Sequence, residues 1–220
     1  MNDIRGNRAV TDRMGELKVI PVVVLNSAED ALPLAEALLE GGLPCAEITF
    51  RTEAAEESIR RISRALPEML VGAGTVLKPD QAARAVAAGA RFVVSPGTNP
   101  DVVRYCLEND VTVIPGVCTP TDIETALGMG LEALKFFPAE AFGGLKTLKA
   151  LSAPYGAVKF FPTGGISLAN LADYLAFSKV LACGGSWMVK PDLIQAGDFA
   201  EIARLTEEAV AITHNTDCRI

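Results

Sequence analysis

The segment Ala133-Leu-Lys135-Phe-Phe-Pro138 returns 24 residues later as Ala157-Val-Lys159-Phe-Phe-Pro162. Each copy is a short β-like apolar run with one lysine inside it. A buried ammonium is costly unless it is paired or neutralised, so a lysine held in such a run points to function. The spacing equals one strand, one helix and two turns, which is the period of a βα repeat.

Outward from this pair the same alternation runs along the whole chain. Apolar runs at 19–25, 45–50, 70–73, 92–95, 112–114, 133–137, 158–161 and 180–183 read as strands. Most are continuous rather than alternating, as strands buried on both faces should be. Segments 28–40, 53–65, 79–88, 100–109, 121–129, 144–152, 168–176 and 198–212 read as helices. Ser27 and Thr52 serve as caps, Pro79 and Pro100 sit in first turns, and Gly41-Gly42, Gly89 and Gly130 are stops. Eight right-handed βα units predict an α/β protein, a single (β/α)8 TIM barrel. An extra N-terminal helix over 10–17 is expected to cap the barrel bottom. One domain spans 1–220, with 213–220 as a frayed tail. An open doubly wound sheet would need a glycine-rich turn after the first strand, and Leu25-Asn-Ser-Ala-Glu29 contains no glycine.

Composition narrows the class of partner. A chain of 220 residues, 50% of them apolar, has enough to bury one large core. The net charge of −7 and the lack of a Lys/Arg cluster interleaved with aromatics argue against nucleic acid. The run 19–25 is far shorter than the ~20 residues that cross a bilayer, so neither a membrane segment nor a signal peptide is read. Five cysteines without paired spacing suit reduced thiols in a cytoplasmic protein.

A barrel of this kind carries its site at the carboxyl ends of the strands. Those ends supply Glu47 and Arg51, Thr75 after Gly72-Ala-Gly74, Pro96, Lys135 and Phe137, Thr163 with Gly164-Gly165, and Gly184-Gly185-Ser186. The single histidine, His214, lies in the terminal tail, which removes Ser-His, Cys-His and His-based metal chemistry. No metal and no cofactor is expected. A lysine and a carboxylate remain, the pair needed for Schiff-base chemistry on a ketone.

A free lysine, with a reference pKa of about 10.4, is a poor nucleophile at neutral pH. Desolvation by Phe136, Phe137 and Phe160, and a neighbouring cation such as Lys159 or Arg51, would favour the neutral amine. The residues alone leave both Lys135 and Lys159 open as nucleophile. They equally leave both lysines open as snorkelling or ion-paired side chains. Glu47 and Arg51 share a strand face but lie roughly 13 Å apart along it, so a common ligand is as consistent as direct contact. A lone Gly-Gly is usually a turn, but two pairs ending strands seven and eight mark where barrels hold phosphate on backbone N–H groups.

The segments Glu47-Ile-Thr-Phe-Arg-Thr52, Val71-Gly-Ala-Gly-Thr-Val76, Ser95-Pro-Gly97, Ile114-Pro-Gly116, Lys135-Phe-Phe-Pro-Ala-Glu140, Pro162-Thr-Gly-Gly-Ile-Ser167 and Gly184-Gly-Ser-Trp187 occur in this order. Over residues 14–212 the chain resembles the 2-keto-3-deoxy-6-phosphogluconate aldolase family. The resemblance implies a metal-independent class I aldolase of the Entner–Doudoroff pathway, giving pyruvate and glyceraldehyde 3-phosphate. It also implies cleavage of 4-hydroxy-2-oxoglutarate to pyruvate and glyoxylate. It makes Lys135 the Schiff-base nucleophile and Glu47 the general acid/base. Arg51 and Thr75 would hold the pyruvyl carboxylate, Thr163, Phe137 and Pro96 the pocket wall, and Gly164, Gly165, Gly184, Gly185 and Ser186 the phosphate. Lys159 becomes a supporting cation, and the assembly a homotrimer. An aldolase for the galactonate epimer is the close alternative. An isomerase or a non-catalytic phosphate-binding module on the same scaffold fits the lysine and carboxylate less well.

Overall fold

The structure, a computed structural model, describes the backbone of residues 4–217 and the side chains of residues 8–214. Among these described residues nine parallel strands occur, and all but the fifth and sixth are separated by helical segments. They are β1 (Val19–Val23), β2 (Cys45–Thr49), β3 (Leu70–Gly74), β4 (Phe92–Val94), β5 (Thr112–Ile114), β6 (Gly116–Val117), β7 (Ala133–Phe136), β8 (Lys159–Pro162) and β9 (Cys183–Gly185). The helices are α1 (Ile4–Leu17), α2 (Ala31–Glu40), α3 (Ala55–Ala65), α4 (Pro79–Ala88), α5 (Pro100–Glu108), α6 (Pro120–Gly128), α7 (Gly144–Ser152), α8 (Leu171–Leu175), α9 (Pro191–Ala196) and α10 (Phe199–Asp217).

Six strands form one sheet in the order β5-β4-β3-β2-β1-β9, and β6-β7-β8 form a second. The six-stranded sheet is curled, because α1 packs against both β1 and β5, which stand four places apart in it. The run expected at 112–114 continues past Pro115 as β6. Proline has no N–H for the ladder, so the run is split there, while the Pro115 carbonyl still accepts from Lys135 N at 2.8 Å. At the other edges, single bridges pair Phe160 with Val180 and Thr163 with Gly184.

Local chemistry explains most element boundaries. Thr119 caps α6 by accepting from Asp122 N, Asn99 caps α5 by accepting from Asp101 N, and prolines open α4, α5, α6 and α9. The N-terminal helix expected over 10–17 is present and starts earlier, with Met14 fully buried.

Four expectations change. The helix at 28–40 begins as a 3-10 turn, Ala28–Asp30, and that at 168–176 contracts to α8. The strand expected at 180–183 lies at Cys183–Gly185, because glycines without side chains can still pair through backbone. Residues 213–217 are helical rather than frayed. Thr213 is 4% exposed and its carbonyl accepts from Lys18 Nζ, which ties the end of α10 to the residue between α1 and β1. Residues 218–220, with Cys218, lie outside the described residues. Among the described residues no helix is long and apolar enough to cross a membrane.

Candidate active site

Strand alternation sends Cys45, Glu47 and Thr49 to one face of β2 and Lys135 to the matching face of β7. Glu47 is fully buried and Lys135 is 4% exposed. Lys135 Nζ stands 3.4 Å from Glu47 Oε1 and 5.1 Å from the centre of the Phe137 ring. Glu47 Oε2 is buried with no hydrogen-bond partner among the described residues. The pair is long for a hydrogen bond, and one carboxylate oxygen is free to handle a proton beside the amine.

Glycine makes the room for this carboxylate. Gly74 lies opposite Thr49 in the register of β2 and β3, and a Cβ there would lie 2.1 Å from Glu47 Oε1. At Gly72 a Cβ would meet the Phe92 ring at 2.3 Å, so the first glycine of that motif serves packing and the second serves the site. Just beyond β3, Thr75 holds φ at 54°, which is unusual for a β-branched residue, and its hydroxyl accepts from Arg51 Nε at 3.1 Å. Arg51 is thus paired with Thr75 and not with Glu47.

A cleft of about 400 Å³ opens at the carboxyl ends of the strands. Of the residues expected from sequence, Arg51, Phe137, Thr163, Gly164, Gly165, Gly184 and Ser186 line it. Lys135 and Glu47 are not among the lining residues and adjoin the cleft through Phe137, whose ring centre is 5.1 Å from Lys135 Nζ. Gly185 does not line it, since the Trp187 ring fills the place of its side chain, with a Cβ there only 1.9 Å from the ring. Pro96 also stands back, its carbonyl packed against Gly116.

Lys159 is not brought to the site. It pairs with Ala133 in the β7–β8 register, while Lys135 pairs with Phe161, so Lys159 opens β8 about 7 Å nearer the amino-terminal end. Its side chain is exposed and Nζ donates to Ser178 O at 2.7 Å. The expected coupling of the two lysines has no geometric basis.

Val22, Val24, Ile166, Val189 and Pro191 complete the cleft and were missed in the sequence. Pro191, in the first turn of α9, was the available signal for the last two. The described cysteines offer no competing nucleophile. Burial pushes the thiols of Cys45 and Cys183 well up and that of Cys106 up to about 12, while burial and then Asp122 raise that of Cys118.

Parallel α/β strands whose carboxyl ends hold one lysine, one carboxylate and a glycine-lined cleft define a lyase of the Schiff-base type. More narrowly, the chain belongs to the KDPG and KHG aldolase family, whose model matches residues 10–205. It is 52% identical over 203 residues to a 2-dehydro-3-deoxy-phosphogluconate aldolase of Treponema pallidum, covering 92% of this chain and 97% of that one. With the Haemophilus influenzae enzyme of the same name it shares 49% identity over 203 residues, 92% and 96% of the two chains. A crystal structure of KDPG aldolase from Legionella pneumophila, with pyruvate captured as a covalent carbinolamine, superimposes with a TM-score of 0.87 at 41% identity. That match covers 92% of this chain and 97% of the other.

Proposed function

We propose that this chain is a class I aldolase that reversibly cleaves 2-dehydro-3-deoxy-6-phosphogluconate to pyruvate and glyceraldehyde 3-phosphate. It also cleaves 4-hydroxy-2-oxoglutarate to pyruvate and glyoxylate. The observation that carries the reading is the buried Lys135–Glu47 pair with one unpartnered carboxylate oxygen. The gluconate name on the relatives at 52% and 49% identity supports that configuration over the galactonate epimer.

Glu47 takes a proton from Lys135 and the neutral amine adds to the C2 ketone; one proton shifts from the adduct nitrogen to its oxygen, and Glu47 returns its own to that oxygen, so that carbinolamine becomes iminium and water leaves. Glu47, now a carboxylate, takes the proton of the C4 hydroxyl. The C3–C4 bond breaks, its electron pair passes to the iminium as an enamine, and the aldehyde departs. Protonation at C3 and hydrolysis then release pyruvate and restore the amine. Arg51, fixed by Thr75, holds the pyruvyl carboxylate. Thr163 and Phe137 shape the wall, and Gly164, Gly165, Gly184 and Ser186 receive the phosphate on backbone and hydroxyl donors.

We read the two sheets as one closed (β/α)8 barrel of residues 1–220. The β5–β6 continuity at Pro115 and the two bridges between the edges support it. A homotrimer in the cytoplasm follows from the family resemblance. The test is borohydride reduction with pyruvate present: one adduct per chain is expected, on Lys135. An adduct on another lysine, or none, overturns the assignment.

A further inference from the structure

Both carbonyls of the Gly164-Gly165 loop are tied back from behind. Glu140 N donates to Gly164 O at 3.0 Å, and Asn170 Nδ2 donates to Gly165 O at 3.0 Å. A trans peptide points its N–H opposite to its C=O, so these two bonds turn the N–H groups of Gly165 and Ile166 the other way. Neither N–H meets an acceptor among the described residues. Gly165 and Ile166 line the cleft, whereas Glu140 and Asn170 do not. With φ of 101° and 81°, Gly164 and Gly165 adopt the left-handed backbone that lets successive N–H groups converge on an anion.

The rear support is itself fixed. The hydroxyl of Tyr174, a residue 1% exposed, donates to Glu140 Oε1 at 2.5 Å. A Cβ on Gly165 would lie 2.6 Å from Glu140 Cβ and Cγ, so the loop rests directly on that residue. We propose that Asn170, with the Glu140–Tyr174 pair behind the adjoining peptide, is a positioning residue that aims the Gly165 and Ile166 amides at the substrate phosphate. Preference for phosphorylated over unphosphorylated substrate is then set by a neutral side chain outside the cleft. The inference rests on the phosphate placement proposed above.

Asn170 has a second contact that separates positioning from mere support: its Oδ1 accepts from Ser167 N at 2.8 Å, closing the turn before α8. Asn170→Asp keeps that acceptor and replaces the Gly165 donor by a second acceptor, while Asn170→Ala loses both. The quantity read is kcat/KM for the phosphorylated six-carbon substrate divided by kcat/KM for 4-hydroxy-2-oxoglutarate. Both variants are expected to lower this ratio at least about tenfold, with the Asp variant melting near wild type. In the wild type, amide resonances of Gly165 and Ile166 are expected to shift when inorganic phosphate is titrated in.

A wild-type ratio in Asn170→Asp would reduce the residue to a turn former and overturn the inference, as would an unchanged ratio in Asn170→Ala. Should the Ala variant not fold, the Asp variant decides alone. Unmoved amides in the wild type would overturn the phosphate placement and the inference with it. Shifting amides combined with unchanged ratios would overturn the inference alone.

Discussion

Gly74→Ala tests the active site without replacing any reacting group. Gly74 has ordinary strand backbone and pairs with Thr49, so a methyl group is conformationally allowed there. Its Cβ would nonetheless lie 2.1 Å from Glu47 Oε1 and 2.7 Å from Glu47 Cγ, and ordinary contact begins at 3.4 Å, so the carboxylate must retreat about 1.3 Å. Misplacing a catalytic group by about 1 Å costs on the order of 10²-fold in rate, ~2.7 kcal/mol of barrier. Overpacking of a buried site adds a stability loss of about 1–3 kcal/mol, which is small enough to leave a folded domain. The assay is kcat for cleavage of the phosphorylated substrate alongside thermal melting, with Gly128→Ala as control, since a Cβ at Gly128 meets nothing within 4 Å. Borohydride and pyruvate should still mark Lys135 in the variant, only more slowly. A folded Gly74→Ala enzyme working within threefold of wild type would refute the role assigned to the position of Glu47.

Glu47→Gln keeps size and an acceptor for Lys135 but cannot carry a proton, so a loss of about 10²–10⁴ in rate is expected; a near-normal rate would leave Glu47 as an ion-pair partner only. Lys159→Met should leave the adduct on Lys135 and the alkaline limb of the rate–pH profile in place, because its ammonium faces Ser178 O and not the site; a displaced limb would contradict the register. Arg84 and then Arg60 hold the Glu56 carboxyl below its ordinary range. A depressed folded-state pKa contributes stability above the unfolded value, and that contribution fades as pH falls through the folded one. The urea midpoint of Glu56→Gln should therefore lie below wild type at pH 7 and converge with it in acid; a gap that persists or widens there would contradict the pairing.

Much of the architecture was legible in residue order. Continuous apolar runs, caps and first-turn prolines are local signals, so the βα alternation and the N-terminal helix could be read directly. Glu47, Lys135 and the Gly164-Gly165 loop were legible too, because polar or flexible residues ending apolar strands stand out against them. The short pieces were less so. Strand β9 hid in Cys183–Gly185 because glycine pairing leaves no side-chain pattern, and α9, six residues long, spans too few turns to show one.

Lys135 and Lys159 sit in near-identical hexapeptides, and nothing within either copy distinguishes them. Pairing Ala133 with Lys159 drops the second lysine by two residues, to the exposed end of β8, and leaves the first beside Glu47, 88 positions away along the chain. The removal of Pro96 from the cleft wall has the same origin, since Gly116, against which its carbonyl packs, lies 20 positions further on and is brought there by packing. Side-chain alternation and turn chemistry act between residues a few positions apart and are written along the chain. Register and depth in the sheets are set by hydrogen bonds and contacts between segments far apart in the chain, which exist only once the strands have paired with one another.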